Sequence, residues 1–498
     1  MKLAMLSIIS ILACITAAQH DTSTLIFPSD FEYRGAFLVP NNPQGGKYGY
    51  EFGLQTLTYH PDGDPNGPDD GYPGSMFANN HVYEKYIGEF NIPTPVISAT
   101  KNTGDLPRAL PLQNLFNINQ NLWKVDNAVM EILYVGKKDT QDQGKIHIAV
   151  SSWYNVSYRD VDRYAWCNTD LSQYSSVGTW HLGSVDPASV GEYMAEVPAA
   201  WADLHTPGMY LSTGMDREGP TVPGPSLHVY GAELHGNSPP NNDTLDVVTL
   251  LEYKINKTKL DSASDKDEWG GAAWLTSGNK SAVVFAGKKG FGKNYYGESN
   301  EGCGGKGYHV TGGFRPFMLF YDPADLAAVA AGTMDKGEPQ PYATFDFADI
   351  AFVPWDQCGA GFKSAAYDRN NNLLYLTEYG DGERGIIHVF KVQPQGTAVL
   401  DKPVIGPKID ITIWPNPFNP TVTIIVEAPF NISANVDGMR PLYHIAIHNT
   451  NGRLITDISA QLNNNRVIWQ ANNHPAGTYI VKAIVDNKTI TKKLFLFR

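Results

Sequence analysis

The chain has 498 residues, 42% hydrophobic and 18% charged, so it has ample apolar surface to bury and general disorder is excluded. Its 47 Gly, 33 Pro, 21 Phe, 10 Trp and 26 Tyr favour many turns and short strands, and exclude a long-helix or coiled-coil protein. A formal charge of −13, from 38 Lys plus Arg against 51 Asp plus Glu, argues against nucleic acid as a partner.

In chain order, residues 1–18 read as a signal peptide. Lys2 gives the positive start, Leu3 to Ile15 an apolar run, and Thr16-Ala17-Ala18 the small residues of a cleavage site. Export to an oxidising compartment is expected. Cys14 sits in a lipobox-like Ile11-Leu12-Ala13-Cys14, although Leu12 stands where a small residue is usual. No later stretch reaches the ~18 consecutive apolar residues that span a bilayer, so no transmembrane segment is expected in the mature chain.

Residues 19–395 show a degenerate recurring unit of apolar strand, polar hairpin and second apolar strand. The clearest copies run Leu57 to His60 with Ser75 to Ala78 and Ile87 to Ile92, and Ala365 to Asp368 with Leu373 to Glu378 and Ile386 to Val392. Weaker copies pair Ile132 to Val135 with Lys145 to Ser151, Gly208 to Ser212 with Leu227 to Tyr230, and Ala272 to Thr276 with Ala282 to Ala286. Leu227-His228-Val229-Tyr230 is echoed by Ile387-His388-Val389-Phe390. Strand groups recurring at this spacing with long insertions predict an all-β fold, a β-propeller of about five to seven blades. The unit resembles those of uncharacterised secreted bacterial propellers. Paired β-sandwiches or a β-helix are the alternatives, and the spacing is too long for a solenoid. One helix is predicted over Pro323 to Ala331, with Asp322 as N-cap and Gly332 at its end.

Within this region the hairpin 62–70 reads D-x-D-x-N-G-x-x-D. Asp62, Asp64, Asn66 and Asp70 offer side-chain oxygens and Pro68 a carbonyl, a donor set suited to calcium; a polar surface hairpin is the alternative. Asp216, Glu218, Trp269, Trp355, Asp356, Glu378 and Glu383 place carboxylates in aromatic company, which suits sugar rings: C–H faces stack and hydroxyls donate to acids. They also read as packing aromatics and solvated acids. No G-x-S-x-G, H-E-x-x-H or P-loop is present, so no catalytic residue is assigned. Beyond the signal segment three cysteines remain, Cys167, Cys303 and Cys358; a Cys303–Cys358 disulfide is slightly favoured over three buried thiols.

Residues 396–408 carry two prolines and no alternation and read as a linker. Residues 409–498 then hold eight basic and five acidic residues, against 29 and 46 in residues 19–408, so a second body of different origin is predicted. Its short alternating runs, separated by turns, predict a small Ig-like β-sandwich. The order of its motifs carries a resemblance: Pro415-Asn416-Pro417-Phe418-Asn419-Pro420, a hairpin with Gly452-Arg453, a strand with Gly477 and Tyr479, and a basic last strand with Lys492 and Lys493. This order resembles the C-terminal sorting domain of the type IX secretion system of Bacteroidetes-like bacteria. The resemblance implies the type IX machinery as partner and delivery via the periplasm to the cell surface or the medium. The expected function is that of an exported propeller binding an extracellular ligand, carbohydrate first. A glycan hydrolase or lyase on the same scaffold and an adhesion scaffold that meets another protein are the alternatives.

Overall fold

A computed structural model describes residues 20–497 except 42–43, 47, 51–53, 65–66, 82–83, 121, 124–128, 138–142, 152–162, 186–188, 217–223, 232–233, 235–237, 254–259, 261–266, 293, 297–307, 311, 354–360, 380–384, 394–409, 415–417, 428–442, 451, 462–465 and 486–487. The signal-peptide and linker segments therefore lie outside the described residues.

The first strand, β1 (Phe31–Leu38), is followed by four consecutive antiparallel sheets. The first holds β2 (Leu57–His60), β3 (Ser75–Asn79), β4 (Tyr86–Asn91) and β5 (Pro111–Asn117). The second holds β6 (Val129–Val135), β7 (Lys145–Ser151), β8 (Tyr164–Asn168) and β9 (Ser176–Leu182). The third holds β10 (Tyr193–Glu196), β11 (Leu211–Gly214), β12 (Leu227–Tyr230) and β14 (Val247–Leu251); α1 (Ala199–His205) lies between β10 and β11, and β13 (Thr244–Leu245) pairs in parallel with β9 of the second sheet. The fourth holds β15 (Glu268–Ser277), β16 (Lys280–Gly290), β19 (Phe314–Tyr321) and β20 (Ala343–Asp346), with a hairpin of β17 (Asn294–Tyr296) and β18 (Tyr308–Val310) inserted and α2 (Pro323–Ala330) after β19. The fifth sheet, β21 (Gly361–Asp368), β22 (Leu373–Tyr379) and β23 (Ile386–Val392), is completed by β1, which pairs antiparallel with β23.

Each sheet packs on the next. Phe77 and Ile87 of the first meet Met130, Ile132 and Ile148 of the second. Tyr164 and Trp180 of the second meet Leu211 and Tyr230 of the third, and Leu227 and Val229 meet Trp274 and Phe285 of the fourth. Val284 and Phe320 meet Leu374 and Leu376 of the fifth, and Tyr375 and Ile387 return to Leu57 and Met76 of the first. The strands that begin the sheets, β2, β6, β10, β15 and β21, touch in that order and β21 closes on β2. The described residues of the all-β region thus form a circuit of five small antiparallel sheets, closed by the loan of β1 to the last sheet. Double-sided burial explains the near-continuous apolar strands. In β22, Leu374 and Leu376 enter one inter-sheet core while Leu373 and Tyr375 enter the next, so alternation is present but both faces are apolar. Helix α2 forms as predicted: Asp322 accepts from Ala324 N at 2.8 Å, Pro323 occupies the first turn, and Gly332 takes φ +71° beyond its end.

The C-terminal residues form two facing sheets, β24 (Asp410–Trp414), β25 (Thr421–Glu427) and β28 (Arg466–Gln470) against β26 (Tyr443–Asn449), β27 (Leu454–Asp457), β29 (Gly477–Val485) and β30 (Lys488–Leu496). Ile424, Val467 and Trp469 of the first sheet pack on Ile445, Val481 and Leu494 of the second. Phe418, in the Pro-rich approach to β25, is buried in this core; its N–H donates to Phe495 O and its carbonyl accepts from Phe497 N, both at 2.9 Å.

Candidate functional site

The five inner strands surround a cavity of about 270 Å³, and each contributes lining residues: Leu57 to Tyr59, Leu133 and Tyr134, Met194 to Glu196, Ala272 to Trp274, and Ala365 to Tyr367. Toward the ends of these strands the lining includes Tyr59, Tyr134, Glu196, Trp274 and Tyr367 in ring order, Tyr367 being followed by Asp368 at the end of β21. Four aromatics and one carboxylate therefore form a collar in which Tyr59, Tyr134 and Tyr367 are partly exposed, while Trp274 is almost wholly buried in the core between the third and fourth sheets. The aromatic rings are held from outside. Tyr59 stacks on Tyr375 at 6.0 Å and 13°, its hydroxyl donating to Pro73 O at 3.0 Å; Trp274 meets Trp201 at 4.6 Å; and the Tyr367 hydroxyl donates to Thr276 O at 2.6 Å. Beyond the collar the mouth carries Asp368, Arg369 and Asn370. Arg369 donates to Thr276 Oγ1 at 2.8 Å and to Glu196 O at 3.3 Å, and its guanidinium lies 5.6 Å from the Tyr367 ring. Burial, with the Asp368 carboxylate second, raises the Tyr59 phenol well above its ordinary range, so it stays a neutral donor-bearing ring.

At the opposite end of the same strands, charged groups are buried. Glu131 of β6 accepts from Thr56 Oγ1 at 2.7 Å through one oxygen, and its other oxygen has no hydrogen-bond partner. Burial first, with nearby Glu192 adding to it, raises the Glu131 carboxyl well above the usual carboxylate range. Glu192, just before β10, accepts from Asp216 N at 3.4 Å, and Asp216 lies 3.8 Å from Lys363 Nζ of β21, which is also 3.7 Å from Glu268 of β15. One Asp216 oxygen is unpartnered.

Among the residues singled out from the sequence, Asp216 belongs to this charged cluster. Trp269 is fully buried between the third and fourth sheets. Glu378 is buried and holds structure together: it accepts from Val353 N at 2.7 Å and from Phe352 N, and pairs with His388 Nε2 at 2.7 Å. Glu218, Trp355, Asp356, Glu383, Cys303 and Cys358 lie outside the described residues. Cys167 is a buried free thiol, pushed up to about 12 by burial.

In the hairpin, Asp62 is exposed and Asp64 half-buried, Gly67–Asp70 forms a short 3-10 turn, and Asp70 Oδ1 accepts from Tyr72 N at 2.8 Å. Asn66 lies outside the described residues. Gly63 is required here, because a Cβ would lie 1.8 Å from Ser75 Oγ and 2.6 Å from His60 Nδ1. Beneath it Glu89 accepts from Ser75 Oγ at 2.5 Å and from Gln113 Nε2 at 2.6 Å, and lies 2.7 Å from His60 Nδ1.

The collar, and the Glu131, Glu192 and Lys363 that form the charged cluster with Asp216, are the features that the sequence reading missed. A faint signal existed for the collar: Leu-Thr-Tyr, Ile-Leu-Tyr, Ala-Ala-Trp and Ala-Ala-Tyr all end on an aromatic at the same place in their units.

Comparison with known proteins bears on the C-terminal part. No curated protein matches the chain. A crystal structure of dimeric latent PorU from Porphyromonas gingivalis is similar to it at 12% identity, covering 77% of this chain and 35% of PorU, with a TM-score of 0.15. The chain thus spans about a third of the length of PorU, and a likeness this weak carries no argument. Residues 412–496 match the family model of the secretion system C-terminal sorting domain. In the sandwich, Phe418 and Tyr479 of the matching motifs are core residues, Gly452 and Gly477 take φ of +80° and +154°, and Asn419 and Pro420 are exposed; Pro415, Asn416 and Pro417 lie outside the described residues. Arg453 N donates to Asn449 Oδ1 at 2.9 Å across the hairpin, and Lys492 and Lys493 lie on the terminal strand β30, opposite Val481 and Ile480. Residues 412–496 are a C-terminal sorting domain of type IX secretion, which directs the chain to the cell surface or the extracellular space.

Proposed function

We propose that the exported protein binds extracellular carbohydrate, taking a terminal sugar ring into the cavity between its inner strands. The collar of Tyr59, Tyr134, Trp274 and Tyr367 interrupted by Glu196 carries this reading. The partly exposed rings of Tyr59, Tyr134 and Tyr367 offer faces for the C–H faces of a pyranose, while Glu196 and the neighbouring Asp368 accept from its hydroxyls and Arg369 and Asn370 donate. A volume of about 270 Å³ lies at the lower edge of the ~300–1,000 Å³ usual for ligand pockets, which suits one ring rather than a threaded polymer. The test is retention of the purified protein on a glycan array, repeated with Tyr134→Ala and Glu196→Gln. Retention lost in both variants supports the reading; an array without retained glycan, or retention indifferent to both substitutions, overturns it.

A second reading is a glycan hydrolase or lyase on the same scaffold. It is favoured by carboxylates of two sheets, Glu131 against Glu192 and Asp216, of which Glu131 is held toward its protonated form, as a general acid requires. Released products from retained glycans, lost in Glu131→Gln, distinguish it. We also keep calcium at the 62–70 hairpin within this proposal, with Asp62, Asp64 and the carbonyl of Pro68 as donors beside Asp70.

A further inference from the structure

We propose that His20, Asp322 and Asp325 form a site for a divalent transition metal of the zinc class, which fastens the segment leading into β1 onto the fourth sheet. Among the described residues these three groups alone bring three His, Cys, Asp or Glu ligand atoms within 4.8 Å of one another. They come from two segments some 300 residues apart, so the convergence belongs to the fold rather than to a local acidic run.

His20 Nδ1 lies 2.9 Å from Asp322 Oδ2 and 3.9 Å from Asp325 Oδ2. Four-coordinate zinc holds nitrogen and oxygen ligands at ~2.0–2.2 Å, which separates neighbouring ligand atoms by about 3.4 Å. The two observed separations bracket that value, so the metal enters with shifts of about half an ångström. The division of labour within Asp322 fits. Its Oδ1 caps α2 by accepting from Ala324 N at 2.8 Å, which orients the side chain and leaves Oδ2 facing the imidazole. The Asp325 carboxylate makes no hydrogen bond among the described residues although its side chain is only 15% exposed. Two carboxylates against one imidazole remain net negative even when the ring is protonated. A divalent ion cancels both charges with the ring neutral. One imidazole with two carboxylates is a donor set for zinc, manganese or iron rather than for calcium, which takes oxygen ligands in larger number.

The consequence concerns ring closure. Directly after His20, Ile26 N donates to Ser281 O at 3.2 Å, Ser281 N donates to Thr24 O at 2.9 Å, and the Tyr342 hydroxyl donates to Ile26 O. Asp30 pairs with Lys280 at 3.2 Å, and the chain then enters the fifth sheet as β1. A metal at His20 pins the near end of the segment that joins the fourth sheet to the fifth.

Metal-free full-length protein, titrated with Zn2+ by calorimetry and with Co2+ by visible absorption, tests this. One Zn2+ per chain is expected, with a low-symmetry Co2+ spectrum, a raised melting temperature, and affinity lowered on the order of 100-fold or more in His20→Gln and in Asp325→Asn, beyond the 10–100-fold of an outer-shell loss. Both variants spare the Asp322 cap, so the fold persists and circular dichroism verifies it. Asp64→Ala, in the distant hairpin, leaves the affinity unchanged. Failure of the parent protein to bind Zn2+, equal affinity in both site variants, or loss of binding in Asp64→Ala overturns the proposal, and none of these outcomes bears on the glycan reading.

Discussion

The ring of five sheets and the C-terminal sandwich are both β-structures with apolar cores, but they bury different chemistry. The ring buries Glu89, Glu131, Asp216, Asp267, Glu378, His228 and His388, whereas among the described residues of the sandwich no polar or charged residue is buried. Taking a charge out of water costs several kcal/mol unless it is paired, and a paired charge stabilises little compared with an apolar residue of the same shape. A body whose task is to be an address needs only to fold. A body that recognises a ligand, as proposed for the ring, would keep oriented polar groups despite their cost.

Deleting residues 409–498 gives the largest expected effect. The truncated chain should be retained in the periplasm and absent from the medium and cell surface, while its ring still folds, because the sandwich core of Ile424, Ile445, Trp469 and Val481 contains no residue of the ring. Fractionation with an antibody to the ring, together with circular dichroism of the purified truncation, measures both halves. Normal export of the truncated chain would break the division of labour.

Next come two core substitutions of different chemistry. Trp469→Ala in the sandwich should cost about 3–5 kcal/mol by loss of packing, and Glu378→Ala in the ring about 3–5 kcal/mol by leaving His388 and the Phe352 and Val353 amides without their acceptor. His388 is fully buried and has Tyr33 OH at 2.9 Å from its other nitrogen, so it has no route to water. Urea unfolding of each variant should shift one transition and leave the other in place. A single shared transition that moves in both would show the two bodies to be one cooperative unit.

Much of the ring was legible in the sequence because alternation survives double-sided burial: the runs at Leu57 to His60, Leu373 to Glu378 and Ile386 to Val392 are strands β2, β22 and β23 almost to the residue. Helix α2 was legible from its cap, whereas α1 was not, since Pro198 at its N-cap position makes no side-chain cap bond. The number of sheets was hidden by topology. The strand that completes the fifth sheet comes from the other end of the described chain, and no local pattern announces a pairing between Phe31 and Val392. The collar was hidden for the same reason: it takes one residue from each unit, and only the ring brings Tyr59, Glu196 and Tyr367 to the lining of one cavity. Asp216 was singled out for its aromatic neighbours, yet what distinguishes it is proximity to Glu192 and Lys363 from other parts of the chain.

Acid should separate the two bodies by a smaller margin. Burial holds His228 neutral and lowers its pKa from 6.5 to about 4. Between those values the unfolded chain binds a proton that the folded ring does not, so stability from this site is complete above about pH 6.5 and is lost as pH falls through the window to about 4. The loss amounts to about 3 kcal/mol. Urea midpoints at pH 7 and pH 4.5 should show the ring transition losing this increment, and His228→Gln should remove it. The sandwich, with no buried histidine among its described residues, should lack that component; its half-exposed Asp457–His444 pair, at 2.9 Å, acts in solvent. An equal acid response in both transitions would remove buried ionisation as the basis of the contrast.

Calcium at the 62–70 hairpin gives the smallest expected effect and concerns the ring alone. Asp62, Asp64 and Asp70 lie within one short loop, and Asp70 is already turned toward the Tyr72 amide, so a cation has fewer free oxygens to draw on than the sequence spacing suggests. If the ion binds only the folded ring, it stabilises by about 2.7 kcal/mol at a hundredfold excess over Kd. Gly63 sits so close over the Ser75, His60 and Glu89 cluster that no side chain fits between them, so closure of the loop around an ion should be felt in β2, β3 and β4. Chelation should therefore lower the ring's melting temperature, Asp64→Ala should abolish that response, and the sandwich transition should not move. A chelator-insensitive ring, in protein first shown to be metal-free and then given calcium without effect, reduces the hairpin to a polar turn. A response that survives Asp64→Ala but disappears in His20→Gln assigns it instead to the metal at the start of the ring.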